Sequence, residues 1–243
     1  MKKLTNSGLL GPRTPRHLPL ALALAATLLT GCKKDKEDPM PQPQPVVMTD
    51  FDGNVYPTFT IGAAVWTSEN LRTTRYKDGS PITTGLTNAD WGNTGTTNVG
   101  AYAVYGDLPA NSAAYGRLYN WAAVNTGRLA PTGWHVPSQA EWTTLVNALG
   151  GAGVAGGKLK STATLWNAPN TGASNSSGFG GLPGGYRGPS GNYTALGNTG
   201  YWWSASERNT TQADYLSLDN SFASSASNGA TKSFGYSVRC VRD

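Results

Sequence analysis

Histidine and cysteine are nearly missing from this chain: two of each in 243 residues. From Val47 onward only His135 and Cys240 remain. A zinc centre draws on several His and Cys ligands, so no metal site is expected there. Cys240 has no second thiol in that stretch to pair with, and a Ser–His–Asp triad could be built only on His135. Charge is scarce as well, at 14% against about 25% in an ordinary domain. The net charge of +5 is concentrated at the start, where Lys2, Lys3, Arg13 and Arg16 meet no acid. Past Val47 there are 12 basic and 11 acidic residues, with neither sign clustered. Nucleic-acid binders carry a basic stripe that neutralises phosphates, so nucleic acid is not an expected partner. No apolar run approaches the roughly 18 residues of a membrane-spanning helix. A Gly-rich phosphate loop followed by Lys-Ser or Lys-Thr is missing too.

Aromatic residues are abundant instead: 8 Trp, 11 Tyr and 5 Phe, with every tryptophan beyond residue 60. The 31 glycines and 15 prolines stay below the roughly 25–30% share that marks low-complexity chains. A chain rich in aromatics and poor in charge can bury a core, which excludes wholesale disorder.

Residues 1–31 read as a lipoprotein signal peptide. Lys2 to His17 form a basic n-region, and Leu18 to Leu29 a 12-residue apolar run. That run is too short to cross a hydrocarbon core of about 30 Å and suits an h-region. Leu29-Thr30-Gly31-Cys32 resembles the bacterial lipobox. By that resemblance Cys32 is lipidated on sulfur and becomes the mature N-terminus, anchoring the protein to a membrane it does not span. Residues 32–46 are then the lipidated cysteine and a Pro-rich stalk, whose Pro-Gln and Pro-Met steps favour extended polyproline II. Mixed Lys, Asp and Glu after the cysteine resemble the export signal of surface lipoproteins in Bacteroidota. The expected location is the outer membrane, displayed at the cell surface, with a periplasm-facing leaflet as the alternative.

Residues 47–243 contain no linker or repeat period and read as a single domain. Asp52-Gly53 predicts a hairpin turn before Val55, Phe59 and Ile61, and a short strand follows over Ala64–Trp66. Two helices are expected. One carries Tyr115, Leu118, Tyr119 and Ala122 at helical spacing. The other opens with the capping box Ser138-Gln139-Ala140-Glu141 and aligns Trp142, Leu145, Val146 and Leu149 on one face. Thr83–Thr97 reads as a loop, and Gly180–Gly185 as a tight turn. Tyr201–Ser206, Ala213–Leu218 and Phe234–Val241 are expected strands. In the last, Phe234, Tyr236, Val238 and Cys240 alternate with outward positions. Strands at both ends with helices between them predict an α+β fold whose terminal strands share one sheet.

Several motifs together resemble a known family. Asp52-Gly53-Asn54-Val55-Tyr56, Glu69-Asn70-Leu71, Tyr115-Gly116-Arg117-Leu118-Tyr119-Asn120-Trp121 and Gly133-Trp134-His135-Val136-Pro137 occur in order. Gly156-Gly157-Lys158-Leu159-Lys160, Leu182-Pro183-Gly184-Gly185-Tyr186-Arg187, Tyr201-Trp202-Trp203-Ser204 and Ser237-Val238-Arg239-Cys240-Val241-Arg242 complete the set. The chain resembles the Fibrobacter succinogenes major paralogous domain (FISUMP), which is common on lipoproteins of Fibrobacter and Bacteroidota. Gly133–Pro137 with Glu141-Trp142, and the closing Gly235–Arg239, also resemble the formylglycine-generating-enzyme group. That second resemblance implies a C-type-lectin-like fold with long Gly-rich loops, but fold does not carry function.

Chemistry is thin. The copper-holding cysteine pair of formylglycine-generating enzymes cannot be assembled here, and Cys240 reads as a buried small apolar side chain. His135 reads as a structural histidine bonding backbone ahead of the helix cap. Glu207, Asp214 and Asp219 are glycosidase candidates only through proximity in sequence. Asp50-Phe51-Asp52-Gly53-Asn54 looks like the start of a calcium loop, but Ile61 stands where the closing glutamate belongs, and a hairpin turn explains it better. Ala168-Pro169-Asn170 lacks the acid of the calcium-sharing lectin motifs. No cofactor and no enzymatic activity is expected. Two functions remain open. One is a binding module for polysaccharide or protein, using Trp202 and Trp203 with polar contacts from Arg187 and Asn192. The other is a structural or assembly component of the envelope with no small ligand.

Overall fold

In the computed structural model, which describes residues 46–243, the chain begins with a hairpin closed by Asp50. The signal peptide, Cys32 and nearly all of the stalk expected from the sequence lie outside the described residues. Strands β1 (Val47–Thr49) and β2 (Val55–Ile61) pair across the expected Asp52-Gly53 turn. Gly53 supplies its left-handed residue, at φ +81°. The Asp50 carboxylate accepts from the N–H groups of Asp52 (3.0 Å) and Asn54 (2.9 Å), the Asn54 amide (2.9 Å) and the Tyr56 hydroxyl (2.6 Å). Four protein donors occupy these oxygens, which is the turn reading of this segment.

The chain continues through β3 (Ala64–Thr67), α1 (Asn88–Thr97), β4 (Tyr102–Ala103), α2 (Pro109–Tyr115), β5 (Leu118–Asn120) and α3 (Trp121–Asn125). After these come β6 (Trp134–His135), α4 (Gln139–Ala148) and α5 (Ala152–Leu159). It closes with β7 (Gly184–Arg187), β8 (Tyr193–Leu196), β9 (Thr199–Glu207), β10 (Gln212–Asp219), β11 (Ser225–Thr231), β12 (Gly235–Tyr236) and β13 (Val241–Arg242). A five-stranded sheet has the order β1-β2-β3-β13-β6. An eight-stranded sheet runs β11-β10-β9-β7-β12-β5-β4, with β8 added on β7. Val241 lies opposite both Trp66 and His135, so strands from the two ends share one sheet as expected. The class is α+β.

The α4 capping box forms: Ser138 Oγ accepts from the Glu141 N–H (3.3 Å) and a Glu141 oxygen from the Ser138 N–H (2.8 Å). Other expectations are corrected. The helix expected around Tyr115–Ala122 is instead the end of α2, the strand β5 and the short α3. Gly116, at φ +78°, breaks it, and a Cβ there would sit 2.6 Å from Asn70 Cβ. Tyr119 then pairs with Tyr102 on one side and Tyr236 on the other, a sheet register that outweighs the local helical spacing. Thr83–Thr97 is not all loop: Thr87 caps α1, which buries Trp91. The second half of Gly180–Gly185 leads into β7, between β9 and β12. Phe234–Val241 splits into β12 and β13, and Gly235 to Val241 are buried throughout, so no face of it meets water. The sequence reading also missed α5, whose Gly156 packs so close to the Ser224 carbonyl that a Cβ would collide with it.

Two aromatic cores sit on either side of β9. Trp203 packs with Tyr119, Trp121, Tyr236 and Val238, while Trp202 packs with Trp66, Trp142, Phe179 and Leu216. Neighbouring strand residues point to opposite faces, and here both faces are covered. Between the sheets lies Arg239, 0% exposed. Its guanidinium donates to Asn70 Oδ1 (2.7 Å) and to the carbonyls of Thr67 (2.9 Å), Phe179 (2.7 Å) and Gly180 (3.2 Å). Burial pulls its pKa down to about 9, so it remains charged at neutral pH. Asn70 Oδ1 also accepts from the Trp202 indole (2.8 Å), and its amide reaches the Tyr115 carbonyl (2.8 Å) and Ser237 Oγ (3.2 Å). Lys160 plays a similar part near α5, donating to the carbonyls of Thr171 (2.9 Å), Asp219 (2.8 Å) and Phe222 (2.7 Å). An Asn70→Ala chain leaves the Trp202 indole and the Arg239 Nε unpaired in the interior. It should lose about 3 kcal/mol or more of unfolding free energy in urea. Unchanged stability would remove Asn70 from the centre of the fold.

Candidate functional site

Trp202, Trp203, Arg187 and Asn192, singled out in the sequence, do not converge on a surface. Both tryptophans are 0% exposed, and their indole N–H groups donate to Asn70 Oδ1 (2.8 Å) and the Tyr119 carbonyl (2.8 Å). Neither ring has a free face to stack on a ligand, which corrects the expectation placed on them. The cause is the cover on both sides of β9. Arg187, 3% exposed, lies over the rings of Trp91 and Tyr193 at 4.5 and 5.2 Å. It donates to the carbonyls of Gly191 (3.1 Å) and Leu86 (3.0 Å) and to Asn88 Oδ1 (3.2 Å). Its role is to fasten the start of α1 to the β7–β8 hairpin. Asn192 is exposed in that hairpin's turn, its amide 3.4 Å from Ser190 Oγ.

A different set of rings reaches solvent. Around Tyr236 stand Trp203, Tyr201, Tyr215, Phe234 and Tyr186, with centroids 4.4, 4.9, 5.1, 5.4 and 6.3 Å from its own. Trp203 and Tyr236 are buried, while Tyr186, Tyr201, Tyr215 and Phe234 are half-buried at the edge of that core. Strand register sets a polar residue beside three of these rings on the same face. Asn228 is opposite Tyr215, Ser217 opposite Tyr201 and Thr194 opposite Tyr186. Burial raises the pKa of the Tyr215 and Tyr236 phenols, so both stay neutral hydrogen-bonding groups. The sequence contained part of this signal, since Tyr201 and Trp203, like Phe234 and Tyr236, share a face by alternation. It did not show that β9, β10, β12 and β7 lie together.

The candidate reactive groups are buried or already paired. Cys240 is buried as expected, and burial pushes its thiol pKa up, away from thiolate chemistry. Glu207 pairs with Lys232 (2.6 Å), Asp214 with Arg208 (2.6 Å), and Asp219 accepts the Thr199 hydroxyl (3.0 Å). His135 does not bond backbone. Its Nδ1 lies 2.6 Å from Asp243 Oδ1 and its Nε2 2.7 Å from Glu141 Oε1. Partial burial works against the imidazolium, but the bonds to Asp243 and Glu141 outweigh it and lift the pKa above 6.5. Desolvation likewise opposes the Glu141 carboxylate, yet the Ser138 and His135 bonds bring its pKa below 4.5. With both ring nitrogens committed to carboxylates, the imidazolium has no lone pair to act as a base.

A raised histidine pKa stabilises the fold fully below its unfolded value of 6.5 and loses that contribution as pH rises through the folded value. A depressed glutamate pKa acts above 4.5 and fades as pH falls. Stability should therefore decline from pH 6.5 upward more in the parent chain than in His135→Gln. Parallel pH profiles of the two melting curves would overturn the bridge.

Neither the curated proteins nor the solved structures searched contain a match to this chain. The Fibrobacter succinogenes major domain matches residues 59–242, a span that runs from within β2 to the end of β13 and takes in the Asn70–Arg239 network and the ring cluster around Tyr236. The chain belongs to the Fibrobacter succinogenes major domain family.

Proposed function

We propose that this protein is a lipid-anchored, non-catalytic binding module of the outer membrane, displayed at the cell surface, whose ligand is a polysaccharide. The observation that carries this reading is the half-buried ring cluster of Tyr186, Tyr201, Tyr215 and Phe234 around Tyr236. The C–H face of a pyranose is apolar, and covering ring surface with it gains about 25 cal/mol per Å² removed from water. Its hydroxyls, projecting sideways, meet hydrogen-bonding partners such as Asn228, Ser217 and Thr194 in the neighbouring register positions. The lipobox-like Leu29–Cys32 and the Pro-rich stretch after it support an anchor at Cys32 and a stalk that holds the domain clear of the membrane. A C-type-lectin-like scaffold is supported by the terminal strands meeting through Val241 and Trp66 and by the long stretches outside regular structure between α5 and β7.

Burial of seven of the eight tryptophans favours the second reading, an assembly component of the envelope without a small ligand. A glycan array separates the two. The full chain, purified in detergent, should bind polysaccharide with calcium and with chelator alike. A Tyr215→Ala/Tyr186→Ala chain of unchanged far-ultraviolet spectrum should bind at least about tenfold more weakly. Silence across the array, or equal binding by the variant, would reject the ring cluster as the ligand surface. Display is tested separately: protease added to intact cells should remove the domain, and full protection would place it in the periplasm.

A further inference from the structure

An open cleft of about 750 Å³ shares no residue with the ring cluster. The first hairpin contributes Asp52 and Asn54 to its wall, and the stretch around α2 contributes Asp107, Ser112 and Arg117. The Arg117 guanidinium lies 4.7 Å over the Tyr102 ring and donates through Nη1 to the Arg72 carbonyl. Its Nε is buried with no partner, and Nη2, which makes no hydrogen bond among the described residues, is the nitrogen left for a ligand. Arg117 belongs to no ion pair among the described residues, whereas Arg72 and Asp52 beside it each have a charged partner. Arg72 is paired with Glu69 at 2.7 Å. Asp52 accepts the Thr74 N–H (2.5 Å) and hydroxyl (2.8 Å) and faces Arg75 at 3.6 Å. One oxygen of Asp107 takes the Tyr193 hydroxyl (2.6 Å), and the other has no bond among the described residues.

The geometry points to a carboxylate site in this cleft, with Arg117 receiving the carboxylate of a hexuronate and Asn54, Ser112 and Asp107 set around it for the sugar hydroxyls. A planar guanidinium suits a planar carboxylate, and the bond is of the strong, charge-assisted kind. A phosphate dianion calls for a second free cation, and Arg72 is already neutralised by Glu69. Asp107 selects for hydroxyls, because its free oxygen accepts a hydrogen bond and repels a second anion. This site is independent of the ring cluster, whose proposed ligand needs no charge.

Calorimetric titration of the full chain with galacturonic acid, galactose and N-acetylglycine tests the assignment. Galacturonic acid should bind, and galactose, of the same ring but without the carboxylate, at least about tenfold more weakly. Arg117→Gln should abolish the difference between the two sugars. Should that chain fail to fold, Ser112→Trp, which fills the cleft from α2 and leaves the Arg117 bonds in place, should abolish binding of the acid. Absence of galacturonate binding, equal affinity for galactose, full affinity in Ser112→Trp, or tighter binding of N-acetylglycine would each overturn it, the last by making the cleft a site for peptide carboxylates. Loss here leaves neutral-polysaccharide binding by the ring cluster untouched, so the two proposals fail separately.

Discussion

The structure depends on one buried side-chain pair. Asn70 and Arg239, 169 residues apart, meet at 2.7 Å between the two sheets. A guanidinium taken out of water is tolerated only when its N–H groups find acceptors, and four are supplied by Asn70 and the carbonyls of Thr67, Phe179 and Gly180. Those carbonyls come from the end of β3 and from the loop before β7, so satisfying one charge fixes the distance between them. Asn70 carries the constraint further, to Trp202 in β9, to Tyr115 at the end of α2 and to Ser237 after β12. Such a network is stable only when complete.

The same solution recurs across a chain poor in charge. Lys160 gathers three carbonyls, and Arg187 gathers two carbonyls and an amide oxygen. These cations bond carbonyl and amide oxygens rather than carboxylates, and they tie separate loops together. Long glycine-rich segments can then be ordered without a large core beneath each one. Arg117 departs from the pattern, with one carbonyl bonded and Nε left without a partner.

Covering both faces of β9 has a consequence for recognition. The largest rings on β9, Trp202 and Trp203, are consumed by packing, and what meets solvent beside that strand is the smaller rim of Tyr186, Tyr201, Tyr215 and Phe234. A tyrosine serves there because it offers an apolar ring and a neutral hydroxyl together. His135, set between Glu141 and Asp243, ties β6 and α4 to the end of β13 and is a structural group for that reason.

Much of the local structure was legible in the residues. The Asp52-Gly53 turn and the Ser138–Glu141 capping box depend on neighbours within a few positions, and both form as read. The strands expected over Tyr201–Ser206 and Ala213–Leu218 lie within β9 and β10, and ordered motifs identified the family. Helical spacing from Tyr115 to Ala122 misled, because Gly116 and the cross-strand partners of Tyr119 outweigh a weak local preference. Helix α5 was hidden by glycines whose purpose is contact with Ser224 and Gly172, far along the chain. The α+β class, the first hairpin, the α4 cap and the family were thus determined by the sequence alone, since each rests on short-range bonds or on residue order. Which tryptophans are covered, which tyrosines meet water and which arginine keeps an unbonded Nε were decided by tertiary structure. Burial is a property of neighbours, and the neighbours of Trp202 and Arg239 lie 132 and 169 residues away.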